Sequence, residues 1–222
     1  MTNNPSRTSQ SGNALFLILI AVILFAALSY AITQSNRGGG APNRETSLIS
    51  STTVTQYSSA IRTGVTRLLL RNVEQGNITF EAPTEAAFTS LSATAAKNNI
   101  YHPEGGGVSY SPVDQNTVVA ITAGQTATQN DNWHFVEAIV GGIGTGGTDL
   151  VAMLDHVKKP ICERINEQIN GNTTIPVIAS ASTDLLAAGN SLITGTGISG
   201  KPFLCVETTG SRYIYYHVIS EQ

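Results

Sequence analysis

The strongest constraint on this chain is an apolar run from Ala14 to Ile32 that contains no charged residue. Only Ser29 and Tyr30 within it carry a side-chain hydroxyl. At a rise of about 1.5 Å per residue, a helix of this length crosses most of a hydrocarbon layer of about 30 Å. Because lipid offers no partners for backbone N–H and C=O groups, the run is expected to be helical there. It predicts attachment to a membrane.

The composition opposes nucleic-acid binding. The 222-residue chain has a net charge of −3, and charged residues make up 12% of it, about half the usual share of roughly 25%. The 12 Lys and Arg residues are scattered, and only Lys158 and Lys159 are adjacent. Phosphate recognition depends on clustered cations, so no nucleic-acid partner is expected.

The flanks of the apolar run allow three kinds of processing. A cleaved secretory signal could exit at Ser29-Tyr30-Ala31, but its apolar stretch is usually shorter than this one. A plain signal anchor needs nothing beyond the run itself. The third possibility is cleavage on the N-terminal side, after Gly12, which ends a short polar leader.

The leader, Gly12 and the apolar helix that follows resemble the type IV pilin and type II secretion pseudopilin superfamily. The resemblance covers the first 32 residues directly and the rest only in layout. It implies that a prepilin peptidase cuts after Gly12 and leaves Asn13 as the mature N-terminus. It also implies that the apolar helix first holds the subunit in the membrane and later packs against other pilin-like subunits in a filament.

Two positions depart from the family pattern. The first mature residue is Asn13 rather than an aromatic residue or Met, and the fifth is Leu17 rather than Glu. Missing Glu is found in some minor, tip-located pseudopilins, so the departure favours a minor or tip-located subunit over a major one.

Export of the head is expected, although the positive-inside rule alone opposes it. One cation, Arg7, precedes the run, and Arg37 and Arg44 follow it. The cysteines, the low charge and the leader favour an inner-membrane protein whose head faces the periplasm or cell surface. The resemblance implies that the subunit then enters an extracellular filament.

The two cysteines, Cys162 and Cys205, lie in the last third of the chain. An even and very small cysteine count in an exported chain favours one disulfide. The alternative is two buried free thiols.

The chain is divided as a leader (1–12), an apolar helix (13–37), a flexible neck (38–45) and an exported head (46–222). The neck follows from Gly38-Gly39-Gly40-Ala41-Pro42, which disfavours a helix. The expected fold class is α+β, with the apolar helix followed by an amphipathic helix packed on an antiparallel sheet, as in a pilin-like head. Apolar residues at three- and four-residue steps predict that second helix from Thr46 to Glu74.

Further elements follow from periodicity, proline and glycine. A helix is expected from Pro83 to Asn98-Asn99, and two more over Leu150–Val157 and from Pro160 to Gly171. Expected strands and turns are Thr117–Thr122, Trp133–Val140, an edge strand Ile175–Ala179, one helical turn Asp184–Ala188, and a hairpin of Phe203–Glu207 with Arg212–Ile219. Alternation along the second hairpin strand predicts one face with Arg212, Ile214, Tyr216 and Val218 and the other with Tyr213, Tyr215 and His217.

Several motifs could support chemistry, but none leads us to predict a catalytic, cofactor or metal residue. Residues 142–147 fit G-x-G-x-x-G after a predicted strand and before a predicted helix, yet no acidic residue follows at the spacing of a dinucleotide site. His102, His134, His156 and His217 lie in four separate segments. His134 with Glu137, and Asp155 with His156, are the possible pairs, but H-E-x-x-H is absent.

Cys162 as a nucleophile would need a histidine that the sequence does not place beside it. Tyr213, Tyr215, Tyr216 and Trp133 could form an adhesive surface, although aromatic residues in a terminal hairpin favour a core role.

The expected function is therefore structural, not enzymatic: a filament subunit anchored in the membrane before assembly. A non-polymerising single-pass membrane protein with a ligand-binding head is the alternative. An exported enzyme that uses the glycine loop is the third.

Overall fold

The structure, a computed structural model, describes residues 11–36, 41–119, 132–178, 191–208 and 212–222. The chain divides into two compact units, Met1–Glu45 and Thr46–Gln222. Parts of five predicted features lie outside the described residues: the leader (1–10), the neck glycines (38–40), the end of the first predicted strand (120–122), Ala179 of the edge strand, and the helical turn at 184–188.

In the described part of the chain, two long helices come first: α1 (Ser11–Asn36) and α2 (Ala41–Leu70). α2 starts before the predicted Thr46, so the predicted neck is helical from Ala41 onward. Pro42 is tolerated there because a first-turn residue has no helical hydrogen bond to lose. The buried face of α2 carries Val54, Ile61, Val65 and Leu68.

The single helix predicted between Pro83 and Asn99 is instead two short helices, α3 (Ala86–Thr89) and α4 (Ala93–Asn98). They are separated at Ser92, whose Oγ accepts a hydrogen bond of 3.2 Å from the Ala95 N–H. Ser92 has extended backbone angles, as N-cap residues do, so the helix cannot run through it.

In the described part of the chain, five strands form one mixed sheet in the order β3-β1-β2-β5-β4. They are β1 (Trp133–Val140), β2 (Asp149–Leu154), β3 (Ser191–Ile193), β4 (Phe203–Thr208) and β5 (Arg212–Ser220). The strand β1 and the C-terminal pair β4–β5 confirm the prediction. All neighbours are antiparallel except β1 and β3, so the expectation of a purely antiparallel sheet is wrong at that edge.

The prediction of a helix over Leu150–Val157 is wrong, because this segment contains β2, the central strand. Every residue of β2 is buried. A strand covered on both faces shows a continuous apolar run rather than alternation, and a short run of that kind cannot be distinguished from a buried helix by pattern alone.

Both faces of the sheet are covered. One face presents Ala152, Leu154 and Tyr215 to the buried side of α2. On the other face, Met153 and Tyr216 belong to a buried cluster that also contains Ile178, Ile193 of β3 and Ile198. The predicted division of β5 into two faces is confirmed.

The last helix among the described residues is α5 (Lys159–Asn170), which carries Pro160 in its first turn and is capped at its end by Gly171, within one residue of the predicted bounds. Gly171 adopts φ 71°, the left-handed conformation that commonly ends helices. Beyond it, the predicted edge strand is reduced among described residues to one parallel bridge between Val177 and Glu207 of β4.

Candidate functional site

The most distinctive part of the molecule is α1, whose side chains from Ala14 to Ala31 are all exposed. The helix has 26 residues, which corresponds to about 39 Å at 1.5 Å per residue. Large apolar side chains project on every side, with Leu17 60% and Phe25 74% exposed. A helix that is apolar all round is stable only inside protein or lipid. By length and composition, α1 could be a membrane anchor or a signal sequence.

The predicted processing residues lie in the first turn of this helix. Gly12 and Asn13 follow Ser11, where α1 begins. Cleavage between them remains a prediction.

The predicted disulfide between Cys162 and Cys205 is present and joins α5 to β4. Both cysteines are fully buried. One turn further along α5, the buried Asn166 side chain acts like a neighbouring strand. Its Oδ1 accepts from the Cys205 N–H at 2.9 Å, and its Nδ2 donates to the Cys205 C=O at 2.8 Å. The outer edge of β4 is therefore hydrogen-bonded at this point rather than open to another chain.

The glycine motif at residues 142–147 is the connection between two antiparallel strands and does not open a helix. A phosphate site of the dinucleotide type needs a helix N-terminus after the loop, and this loop is followed by β2. At Gly144 the lack of a side chain lets the chain pack closely on itself. Gly144 has φ 61°, and a Cβ there would lie 2.2 Å from the Gln222 carbonyl oxygen.

One of the two predicted acid–histidine pairs comes together. The Asp155 carboxylate is fully buried and contacts His156 Nδ1 at 2.9 Å and Arg212 Nε at 2.7 Å. Arg212 also contacts the second carboxylate oxygen through its terminal nitrogen. A buried carboxylate paired with a guanidinium by two bonds is a structural ion pair that joins the end of β2 to the start of β5.

The other pair does not form a site. His134 and Glu137 lie three residues apart on β1, so their side chains project from opposite faces of the sheet. Among the described residues, no group of three His, Cys, Asp or Glu side chains could hold a metal ion.

The sequence did not predict a buried polar network between α2 and β5. Ser58 Oγ lies 2.7 Å from His217 Nδ1 and 2.9 Å from the Tyr215 hydroxyl. The Tyr215 hydroxyl is 3.1 Å from the same imidazole nitrogen. The sequence predicts that Tyr215 and His217 share one face of the hairpin. Their partner, Ser58, lies at least 157 residues away in sequence, so no local pattern indicates the contact.

This network resembles a nucleophile and its base in distance only, because Ser58 is inaccessible. Ser58 is 0% exposed, and the cavity of about 280 Å³ beside His217 is lined by Ser59 instead. Burial, followed by the nearby Arg62 charge, lowers the pKa of His217 to about 4. The three side chains therefore join the helix to the sheet through neutral hydrogen bonds.

The hairpin tyrosines belong to the core, as favoured by the sequence. Tyr215 and Tyr216 are 0% exposed. Trp133 packs between Tyr57 and Tyr215, with ring centroids 5.3 and 6.1 Å away. A surface built from these two tyrosines is excluded.

Fold and geometry together define an α+β protein with an N-terminal apolar helix and a disulfide-bonded head. No family model, curated protein or solved structure matches the chain.

Proposed function

We propose that this chain is a structural subunit of a type IV pilus-like or type II secretion-like filament. In this proposal α1 holds the subunit in the inner membrane before assembly, with the head exported. The same helix then packs against the apolar helices of sister subunits in the filament core. Hydrophobic burial stabilises both states, so transfer from lipid to filament replaces one apolar environment with another.

The observation that carries the proposal is the apolar surface of α1. In the stretch Ala14–Ala31 of this helix, no residue is buried within the chain. An anchor needs only this much, but the leader ending in Gly12 adds the arrangement that resembles a prepilin. The head adds a long helix packed on a mainly antiparallel sheet, the layout expected of a pilin-like head.

The outer face of α2 supports packing against another helix. Five hydroxyl residues at three- and four-residue steps each donate to the carbonyl four residues earlier, at 2.8 to 3.0 Å: Thr52, Thr55, Ser59, Thr63 and Thr66. Because these hydroxyls are already bonded, a neighbouring subunit could cover this face with little loss of hydrogen bonding to water.

Leu17 leads us to place the subunit at a filament tip or at the start of assembly. A carboxylate at this position would attract the N-terminal amine of a neighbouring subunit, and Leu17 cannot do so. A subunit at the tip does not need to recruit a preceding neighbour, so the loss has no cost there.

The deciding experiment is mass spectrometry of the mature N-terminus after expression with a prepilin peptidase. We expect the protein to begin at Asn13. Gly12→Val should block the cut, while Gly76→Val should leave it intact, because a Cβ at Gly76 meets nothing within 4 Å. A mature protein that begins at Ile32 would exclude both a filament subunit and an anchored protein.

An intact leader in both variants and the wild type would support the alternative, a non-polymerising membrane protein with a ligand-binding head. A cavity in the head is the observation that favours that alternative, and its chemistry can be tested independently.

A further inference from the structure

A cavity of about 320 Å³ lies in the head between the segment after α2 and the start of β1. Five aromatic side chains and one carboxylate are among its lining: Phe80, Tyr101, Tyr110, Trp133, Phe135 and Glu85. This volume is at the lower end of the range for small-ligand sites, which are mostly apolar with a few polar groups.

The aromatic rings around this cavity have different orientations. Tyr101 and Tyr110 meet edge to face, with planes at 84° and centroids 5.3 Å apart. Phe80 and Phe135 stack in parallel, with centroids 3.9 Å apart. Differently oriented rings around one space can direct more than one π face at a ligand.

Packing fixes these rings from behind. The Tyr101 hydroxyl lies 3.2 Å from the Tyr57 hydroxyl, and Tyr57 packs on Trp133. Burial, the neighbouring tyrosines and the negative charge of Glu85 raise the pKa of Tyr101, which keeps its phenol neutral. Glu85 lines the same cavity as Tyr101.

The electrostatics of the lining favour positive charge. Among the described residues that line it, the carboxylate is Glu85, and there is no lysine or arginine. The other polar groups are the hydroxyls of Thr84 and Ser111, the amide of Asn132 and the imidazole of His134. Aromatic faces are electronegative and attract cations within about 6 Å, most strongly where water is excluded.

We propose that this cavity binds a small alkylammonium cation, held by the ring faces and by the Glu85 carboxylate. A neutral ligand of the same shape loses both attractions. All residues of the site belong to the head, so binding can be measured on the unassembled protein.

The test is titration of the full chain with choline at pH 8, where a histidine of ordinary pKa is uncharged. A polyoxyethylene detergent is used because it brings neither an ammonium nor a sugar headgroup. Trp133 is the single tryptophan and lines the cavity, so its fluorescence reports occupancy. The matched ligand is 3,3-dimethylbutan-1-ol, in which carbon replaces the charged nitrogen. We expect choline to bind saturably and the alcohol to bind at least tenfold more weakly.

Paired variants separate the effects of the Glu85 charge and the Tyr110 ring on binding from any effect on folding. Because Glu85 is solvent-exposed, Glu85→Gln should weaken choline binding about threefold, whereas Glu163→Gln, the same charge change on α5 outside the cavity, should leave it unchanged. Tyr110→Leu should weaken binding several-fold, whereas Tyr110→Phe keeps the ring and should not.

A comparison with glycerophosphocholine distinguishes the source of the cation. Tighter binding of glycerophosphocholine indicates a lipid headgroup, and tighter binding of choline indicates a free alkylammonium ion; both support the site. Equal affinity for choline and the neutral alcohol, an unaltered Glu85→Gln variant, or no choline response at all overturns the proposal. Binding of a neutral saccharide in the absence of choline binding also overturns it.

Discussion

Acidification should weaken the head through His217. In the folded protein the pKa of this imidazole is lowered to about 4, first by burial and then by Arg62, whereas an unfolded histidine titrates near 6.5. Between these two pH values the unfolded chain binds the proton more readily. The free energy of unfolding should therefore fall as the pH drops from about 6.5 to 4 and level off below it.

The magnitude follows from the two pKa values. At pH 4 His217 is protonated in the unfolded state and half protonated in the folded state. The difference lowers the free energy of unfolding by about 3 kcal/mol relative to pH 7. The Ser58–His217 contact need not break, because a protonated Nδ1 could donate to the serine oxygen at the same 2.7 Å. The loss comes from placing a charge where only 4% of the side chain is exposed.

The assay is urea unfolding of the full chain in nonionic detergent, followed by fluorescence of Trp133, which packs on Tyr215. Wild type is compared with His217→Gln at pH 7 and pH 4, so that titration of all other groups cancels. At pH 7 the variant should be less stable, since it disrupts the network. At pH 4 the difference should move by about 3 kcal/mol in favour of the variant.

Arg62→Gln provides a second comparison, because it removes the smaller cause of the lowered pKa and should reduce the acid sensitivity. If the stability difference between wild type and His217→Gln stays constant within about 0.5 kcal/mol from pH 7 to pH 4, burial of neutral His217 does not govern acid stability and the reasoning is refuted.

Three further predictions use the same unfolding assay. Asn166→Ala should lower the free energy of unfolding by about 2–3 kcal/mol, because the Cys205 N–H and C=O lose their buried partner. The control Gln168→Ala, on the exposed side of α5, should change it by less than about 0.5 kcal/mol. Equal effects of the two variants would contradict the role of Asn166 at the edge of β4. Gly64→Ala should destabilise by about 1–2 kcal/mol despite better helix propensity, since its Cβ would come within 2.4 Å of a neighbouring valine methyl. Gly76→Ala should be near neutral, and a stabilised Gly64 variant would show that the contact relaxes freely. Reduction of the disulfide, which links residues 43 positions apart, should lower stability by about 4 kcal/mol in the chain-entropy model; an unchanged midpoint would show that the bridge constrains little.

Much of the head could be predicted where a residue's neighbours in sequence decide its structure. The alternation along β5 separates Tyr216 from Tyr215, and that division matches the two faces of the sheet. Pro160 and Gly171 mark the two ends of α5 by local backbone chemistry alone. The cysteine count in a chain with an apolar N-terminal run favoured the bridge that is present.

Prediction failed where distant parts of the chain decide. β2 is buried on both faces, and only the strands and covering segments around it make an apolar run a strand instead of a helix. The glycine loop was expected to precede a helix because the segment after it, which is β2, was itself predicted to be helical. The break at Ser92 is a different case, because it is local: the Ser92 side chain caps α4 through the Ala95 N–H, three residues away, and this cap competes with continuation of the helix.

The sequence by itself determined the apolar helix, because nineteen uncharged residues in a row leave backbone groups no partner except one another in an apolar medium. It also determined the amphipathic face of α2 and the hairpin alternation, which are set by local periodicity. Only the tertiary structure decided that Ser58 meets His217 and that five aromatic rings enclose a cavity beside Glu85. Those contacts join residues far apart along the chain. Their geometry depends on how a helix packs on a sheet, which no local pattern encodes.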